Sequence, residues 1–372
     1  MANGYKSLAV NDAVRVDATE VRAKVVGEGG NLGVTQRGRI EYALKGGLIN
    51  SDALDNSGGV DLSDHEVNLK ILLTPLLAEG RMTIEERNRL LREICPEVCQ
   101  RVVEDNESHA LLITLDEIRS QSDPHIFLRT IEFLAERGVM DPAREDLPTL
   151  ADLQERGLTK GLTRPELGKL MAFVKMYVYE ALTKLDLKRF PRQEALLASY
   201  FPKAIFERQR KAIGRHLLQR ELLATIWTNQ LMQYTGATLF PDLVSDSERS
   251  VADVAMSYAA VDGWLGAGEL RSRILTADIP APAKYRGIAM LEDGIFSRAD
   301  YLRSAKNKEI AARFVRASLR GSEFCRDKPA EWVDIVLKES PVLGREHQAW
   351  MMAETNKPSW PPPPPATPLG KM

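Results

Sequence analysis

Residues 23–33 read Ala23-Lys24-Val25-Val26-Gly27-Glu28-Gly29-Gly30-Asn31-Leu32-Gly33. A β-branched pair, which favours extended backbone, runs straight into four glycines within seven positions. Such glycines permit a tight exit from a strand and let the backbone approach a ligand closely. A second piece, Gly47-Leu48-Ile49-Asn50, repeats the pattern and leads into Asp52-Ala53-Leu54-Asp55-Asn56-Ser57-Gly58-Gly59-Val60. Between them Arg37 to Leu44 reads as one short helix. Two extended pieces flanking a helix, with turn residues at both exits, is the arrangement of a parallel α/β unit. In such a unit both turns open on the same crevice.

Working outward, Gly27, Gly29 and Gly33 form a GxGxxxG string with Asp52 further on, which superficially resembles a dinucleotide fingerprint and its ribose-binding acid. The spacing fits poorly, because Leu32 stands at the usual third glycine and the helix that follows carries Arg37 and Arg39. A plain strand-to-helix turn explains the glycines equally. Asn31 and Asn56 sit in glycine-rich turns where asparagine tolerates unusual backbone angles. Ser63 reads as the N-cap of a helix beginning at residue 64, where a hydroxyl at the positive end of the dipole can also meet an anion.

After Ser63 nearly everything is helical. Ser63-Asp64-His65-Glu66, Thr83-Ile84-Glu85-Glu86 and Thr163-Arg164-Pro165-Glu166 all fit the capping box. The last opens a helix whose Leu167, Leu170, Met171, Val174, Val178, Ala181, Leu182 and Leu185 fall on one 3.6-period stripe. Further helices are expected over 64–80, 84–105, 124–138, 203–235, 247–262 and 266–276, packed as a bundle. Pro280-Ala281-Pro282 reads as a break, followed by shorter helices over 309–319 and 330–338. Pro358-Ser359-Trp360 and Pro361 through Pro365 read as an extended or disordered tail. The expected fold class is therefore α/β, a partial Rossmann-type parallel sheet over 1–63, followed by a mostly α-helical C-terminal domain over 64–278. A divergent segment over 279–357 and the tail over 358–372 complete the chain.

The balance of 44 % apolar and 27 % charged residues in 372 is that of a soluble globular protein. A net charge of −2 gives no basic field, which argues against a nucleic-acid partner. Cys95, Cys99 and Cys325 point to a reducing compartment; Cys95 and Cys99 have no second pair to complete a zinc site and read as ordinary thiols. The five histidines, at 65, 109, 125, 216 and 347, show no ligand spacing, so no metal is expected, and His65 reads as a helix-surface residue. The first residues lack a signal-peptide core, and no apolar run approaches the ~20 residues of a membrane span. The chain thus reads as cytoplasmic, with no membrane partner.

The run Asn11-Asp12-Ala13-Val14-Arg15-Val16-Asp17, then Lys24 through Gly33, Thr35 through Leu44, and Asn56 through Leu72 resembles the large bacterial NAD-specific glutamate dehydrogenases. A second similar stretch is Gly161-Leu162-Thr163-Arg164-Pro165-Glu166-Leu167, followed by Tyr200-Phe201-Pro202, and the resemblance extends to about residue 265. It implies oxidative deamination of L-glutamate to 2-oxoglutarate and ammonia with hydride transfer to NAD, in a homo-oligomeric full-length enzyme. Glu28-Gly29-Gly30-Asn31 is similar to the loop that presents an asparagine to the nicotinamide. The resemblance thus marks Gly29, Gly30, Asn31 and Asn56 as cofactor-binding and Ser63 as the holder of the substrate's side-chain carboxylate. It also implies that the pyrophosphate loop and the catalytic lysines and aspartate lie upstream, so no catalytic residue is expected here and the chain is expected to be inactive alone. Leu62 stands where a smaller residue such as cysteine is expected. Two alternatives remain at this stage: a non-catalytic helical assembly or regulatory module derived from that enzyme, or a dehydrogenase for another amino acid with a distal carboxylate.

Overall fold

The computed structural model describes residues 15–30, 33–186, 192–247, 249–292 and 327–339, with isolated positions 345 and 349. The chain divides into two compact units, 1–292 and 293–372. Asn31, the expected helix over 309–319 and the proline-rich tail lie outside the described residues.

The first unit opens with the predicted parallel pair. Strand β1 (Val25–Val26) pairs with β2 (Leu48–Ile49) in the register Val25↔Leu48 and Val26↔Ile49, with helix α1 (Gln36–Leu44) between them in sequence. Tyr42 explains why the pair closes. Its ring lies over Gly47, where an added Cβ would come within 2.3 Å, and its hydroxyl donates to the carbonyl of Ala23. The sheet among the described residues is these two short strands alone, and Val25 and Leu48 are exposed.

Helices α2 (Asp52–Asp55), α3 (Ser57–Ala78), α4 (Ile84–Ser122), α5 (Pro124–Glu136) and α6 (Leu150–Arg156) follow, then a 3-10 turn (Leu158–Lys160) and α7 (Arg164–Thr183). They are joined by α8 (Gln193–Tyr200), α9 (Lys203–Ile213), α10 (Gln219–Thr235), α11 (Leu239–Ser247), α12 (Val251–Leu265), α13 (Ala267–Thr276) and α14 (Ala281–Glu292). The core forms where α7 and α10 pack on α4, against which α3 also packs. The α7 stripe is the reason: Leu167, Leu170, Met171, Val174, Val178 and Leu182 are buried as the 3.6-residue period requires, with Ala181 half-buried and Leu185 buried just past the helix end. Its start is fixed by the predicted capping box, in which Glu166 accepts from Thr163 N at 2.8 Å and from Arg156 at 2.7 Å. The Thr83–Glu86 box also forms. In the second unit, α15 (Pro329–Glu339) matches the expected helix over 330–338.

Several boundaries differ from the sequence reading. The Ser63–Glu66 capping box does not exist, because α3 already begins at Ser57 and Ser63 lies inside it, its Oγ donating to Gly59 O at 3.1 Å. Helix α4 runs 39 residues, through the polar stretch 104–109 that reads as a stop; Asn106, Ser108 and His109 there meet Ser57, Gln233 and Lys175 of other helices, while Glu104 and Glu107 stay exposed. The helix expected over 203–235 is two helices, parted where buried His216 accepts from Leu218 N at 3.2 Å through Nδ1. The break read at Pro280-Ala281-Pro282 is present, between the end of α13 at Thr276 and the start of α14 at Ala281; Pro282 stands in the first turn of α14, where the N–H groups have no intrahelical partner to lose. Among the described residues no helix is long and apolar enough to cross a membrane.

Candidate cofactor-side site

The turns leaving β1 and β2 are built around two carboxylates and one guanidinium. Glu28 folds back under its own loop, accepting from Gly33 N and from Val34 N at 3.3 Å. An added Cβ at Gly33 would lie 2.7 Å from Glu28 Oε1, so glycine is needed there for close approach. None of Gly27, Gly29, Gly30 and Gly33 has a left-handed φ. At Gly27, Gly29 and Gly30 nothing lies within 4 Å of an added Cβ, so the backbone is open on that side. What glycine supplies in this loop is room rather than a left-handed turn.

Glu28 N donates to Asp55 Oδ2 at 3.0 Å, joining the β1 loop to α2. Arg39, whose side chain is 1 % exposed, donates to Glu28 Oε2 and to Asn50 O at 2.7 Å, with Asp55 Oδ2 3.8 Å away. The helical body reaches the same place. Arg164 Nε donates to Asn50 Oδ1 at 2.9 Å and Gln36 Nε2 to Pro165 O at 3.2 Å, while Gly168 packs against Ser51. From α4, Asn106 Oδ1 lies in hydrogen-bond reach of Ser57 Oγ.

Asn56 does not follow β2 directly. It stands between α2 and α3, closing one and opening the other, and its side chain makes no capping hydrogen bond. Gly58 and Gly59 belong to the first turn of α3 rather than to a loop. Ser63 is exposed one turn further along the same helix. The structure therefore brings the open Gly29–Gly30 backbone and the α2–α3 junction at Asn56 to one end of the parallel pair through Glu28, Asp55 and Arg39. Asp52, the candidate ribose acid, begins α2 and turns its Oδ1 onto Ala53 N at 2.9 Å.

Behind Ser63 lies a buried polar cluster that the sequence reading missed. His65 is not a surface histidine: it is 2 % exposed and stacks on Tyr200 with ring centroids 4.5 Å apart. Burial lowers its pKa and keeps it neutral. Asp61, His65 and Asp105 each place a ligand-type atom within 4.8 Å of the others. Lys175 of α7 faces both carboxylates and donates to His109 Nε2 at 2.7 Å. That ammonium supplies the cluster's own cation. Burial, with Asp105 and Asp64 nearby, pushes Asp61 up to about 7, while burial pushes Lys175 down to about 8 and His109 down to about 3. The spacing Asp61–His65 (i, i+4) was the available signal, but the partners on α4 and α7 come from distant sequence.

A stability consequence follows from the signs. Asp61 prefers its proton in the fold, so its contribution is present below its ordinary value and is lost as pH rises through about 7. His109 works oppositely, losing its contribution as pH falls below the ordinary histidine range. Comparing Asp61→Asn with the parent isolates the first effect: the variant gains relative stability between pH 5 and 7.5 in urea unfolding. A difference constant with pH would show that Asp61 is not held protonated.

The family model described as bacterial NAD-glutamate dehydrogenase, catalytic domain, matches residues 6–116, and that for glutamate dehydrogenase, C-terminal, matches 159–299. The NAD-specific glutamate dehydrogenase of Mycobacterium tuberculosis is 42 % identical over 274 residues, which are 73 % of this chain and 17 % of that protein. Those of Pseudomonas aeruginosa and Halomonas elongata are 37 % and 36 % identical over 82 % and 76 % of this chain, and 19 % and 18 % of theirs. The chain belongs to the bacterial NAD-specific glutamate dehydrogenase family. It spans under a fifth of the length of the curated relatives it matches.

Within this glutamate dehydrogenase segment all five expected site residues, Gly29, Gly30, Asn31, Asn56 and Ser63, fall in the stretch matched by the catalytic-domain model. The polar groups that hold their turns come from both matched stretches. Glu28, Arg39, Asp55 and Asn106 lie in the catalytic-domain match, and Arg164 and Pro165 in the C-terminal one. The boundary between the two descriptions therefore does not separate the turns from their supports.

Proposed function

We propose that this chain forms the nicotinamide-side wall of an NAD-dependent glutamate dehydrogenase, acting in the oxidative deamination of L-glutamate to 2-oxoglutarate and ammonia. In this reading β1, α1 and β2 are the closing part of a Rossmann-type domain. The exposed apolar side chains of Val25 and Leu48 support it, since such a face is ordinarily covered by further sheet or helix. The observation that carries the reading is one juxtaposition: the open Gly29–Gly30 backbone and an Asn56 amide without a capping partner, at the same end of a parallel pair. An uncommitted carboxamide and unobstructed backbone fit the polar end of a dinucleotide, which would supply the hydride acceptor. Ser63, exposed on α3, would turn its hydroxyl from Gly59 O to the distal carboxylate of glutamate. Asn31 would face the nicotinamide.

The chain alone should not turn over glutamate, because hydride transfer needs donor and acceptor held in one geometry by both sides of a cleft. The test has two arms. NADH titrated into the 372-residue chain should give saturable binding that Asn56→Ala weakens. In the protein that pairs this segment with a substrate-binding half, Ser63→Ala should raise KM for glutamate by about 10–100-fold, the loss of a hydrogen bond to a charged group. Glutamate oxidation with unchanged KM in that variant would refute the Ser63 role. Absence of NADH binding in both settings would refute the cofactor role.

A second reading, an assembly module, has one observation in its favour. A groove of about 330 Å³ between α3 and α4, lined largely by Leu62, Leu69, Leu73, Leu91, Ile94 and Val98, opens to solvent. Free Cys95 and Cys99 also line it.

A further inference from the structure

Arg39 stands out because a charged side chain is almost never so completely buried without dense pairing. Its guanidinium is 1 % exposed on a helix of nine residues at the edge of the fold. It touches both strand exits at once. On the β1 side it donates to Glu28 Oε2, and its Nε lies 3.4 Å from Val34 O; on the β2 side it donates to Asn50 O and lies 3.8 Å from Asp55 Oδ2. Glu28 in turn holds the amides of Gly33 and Val34, and Asp55 accepts from Glu28 N and from Asn50 Nδ2 at 3.3 Å. Two loops on either side of α1 in the sequence thus share one cation and two carboxylates.

A buried ion network of this kind contributes little net stability over apolar packing, since desolvation offsets the attraction; what it fixes is geometry. The planar guanidinium presents its donors in a fork of set angle, which an ammonium cannot reproduce. We infer that Arg39 is a positioning residue that sets the separation of the Gly29–Gly30 turn and the Asn56 junction, and so the width of the slot for the nicotinamide end of the cofactor. This rests on the proposed cofactor role of those turns.

The test compares Arg39→Lys and Glu28→Gln with the parent 372-residue chain, by amide hydrogen exchange resolved to segments and by NADH titration. Arg39→Lys keeps the charge but loses the fork, so exchange over 28–34 and 50–56 should quicken together by about tenfold, with α7 unchanged. Glu28→Gln weakens only the β1 side, so 28–34 should quicken while 50–56 holds. It also keeps the test decisive if the arginine variant fails to fold. NADH affinity should fall in both variants while far-ultraviolet circular dichroism stays that of the parent. Unchanged exchange in both segments, or quickening spread evenly through the α-helical body, would overturn the role of Arg39. A parent that binds no NADH, with coupled quickening intact, would leave Arg39 as the organiser of the two turns and remove the cofactor reading instead.

Discussion

Gly236→Ala lowers the midpoint of thermal unfolding of this chain by roughly 10 °C. Gly236 ends α10 at φ 72°, ψ −166°, a region that residues with a Cβ occupy only under strain of about 1–3 kcal/mol. An added Cβ would also fall 1.9 Å from Asp116 Oδ1 and 2.5 Å from Arg119 Nη1. Asp116 cannot give way. It is fully buried, accepts from Ala237 N at 2.9 Å and pairs with Arg119 at 2.9 Å, and Arg119 donates onward to Tyr234 O at 2.6 Å. Those bonds stitch the end of α10 to the C-terminal end of α4. Forcing the carboxylate aside strands a buried charge, which costs about 3–5 kcal/mol. At roughly 2–4 °C per kcal/mol for a body of this size, the lower end of that sum already gives the stated shift. Gly29→Ala is the matched control, because nothing lies within 4 Å of the added methyl and its φ is not left-handed. Calorimetry that found Gly236→Ala as close to the parent as Gly29→Ala would show that Asp116 does not lock this turn.

The second large effect concerns Lys175. Lys175→Met removes the cation that faces Asp61 and Asp105 and leaves His109 Nε2 without its partner. Deleting one side of a buried charge group costs about 3–5 kcal/mol, mostly because the other side stays buried and unpaired. The loss should be greatest above pH 7, where Asp61 has given up its proton, and smaller at pH 5, where the carboxyl pair can hold one. Adding Asp105→Asn to Lys175→Met should restore more than half of the loss, since the residual charge is removed with its partner. Urea unfolding of the two single variants and the double variant measures this coupling. Additive losses would mean that lysine and aspartate act separately, contrary to the geometry of α4 and α7.

The two halves of the candidate site differed in how readable they were. Val25-Val26 and Leu48-Ile49 flank a helix with turn residues at each exit, and that local pattern was enough to place a parallel pair. The α7 stripe and the Thr83 and Thr163 capping boxes were equally plain, because each depends on residues a few positions apart. Ser63 was misread as a helix start because Ser-x-x-Glu is only a local pattern. Asn56 and the glycines after it can enter a helix when Ser57 is held by Asn106, a partner 49 residues away. His65 failed for a related reason, since its burial comes from Tyr200 of α8.

Sequence alone therefore determined the kinds of element, the helical mass beyond the parallel pair, the family, and the residue types at the two turns. Those features rest on short-range periodicity, on turn chemistry, or on direct similarity. Only the tertiary structure decided what holds the turns in place. Arg39 counted in the sequence as a reason to doubt the glycine string, and folding makes it the centre of that loop. The physical reason is that a buried charge takes its meaning from partners that chain folding delivers: Glu28, Asn50 and Asp55 around Arg39, and Asp61 and Asp105 around Lys175. No spacing along the chain encodes those meetings; the packing of α1, α3, α4 and α7 creates them.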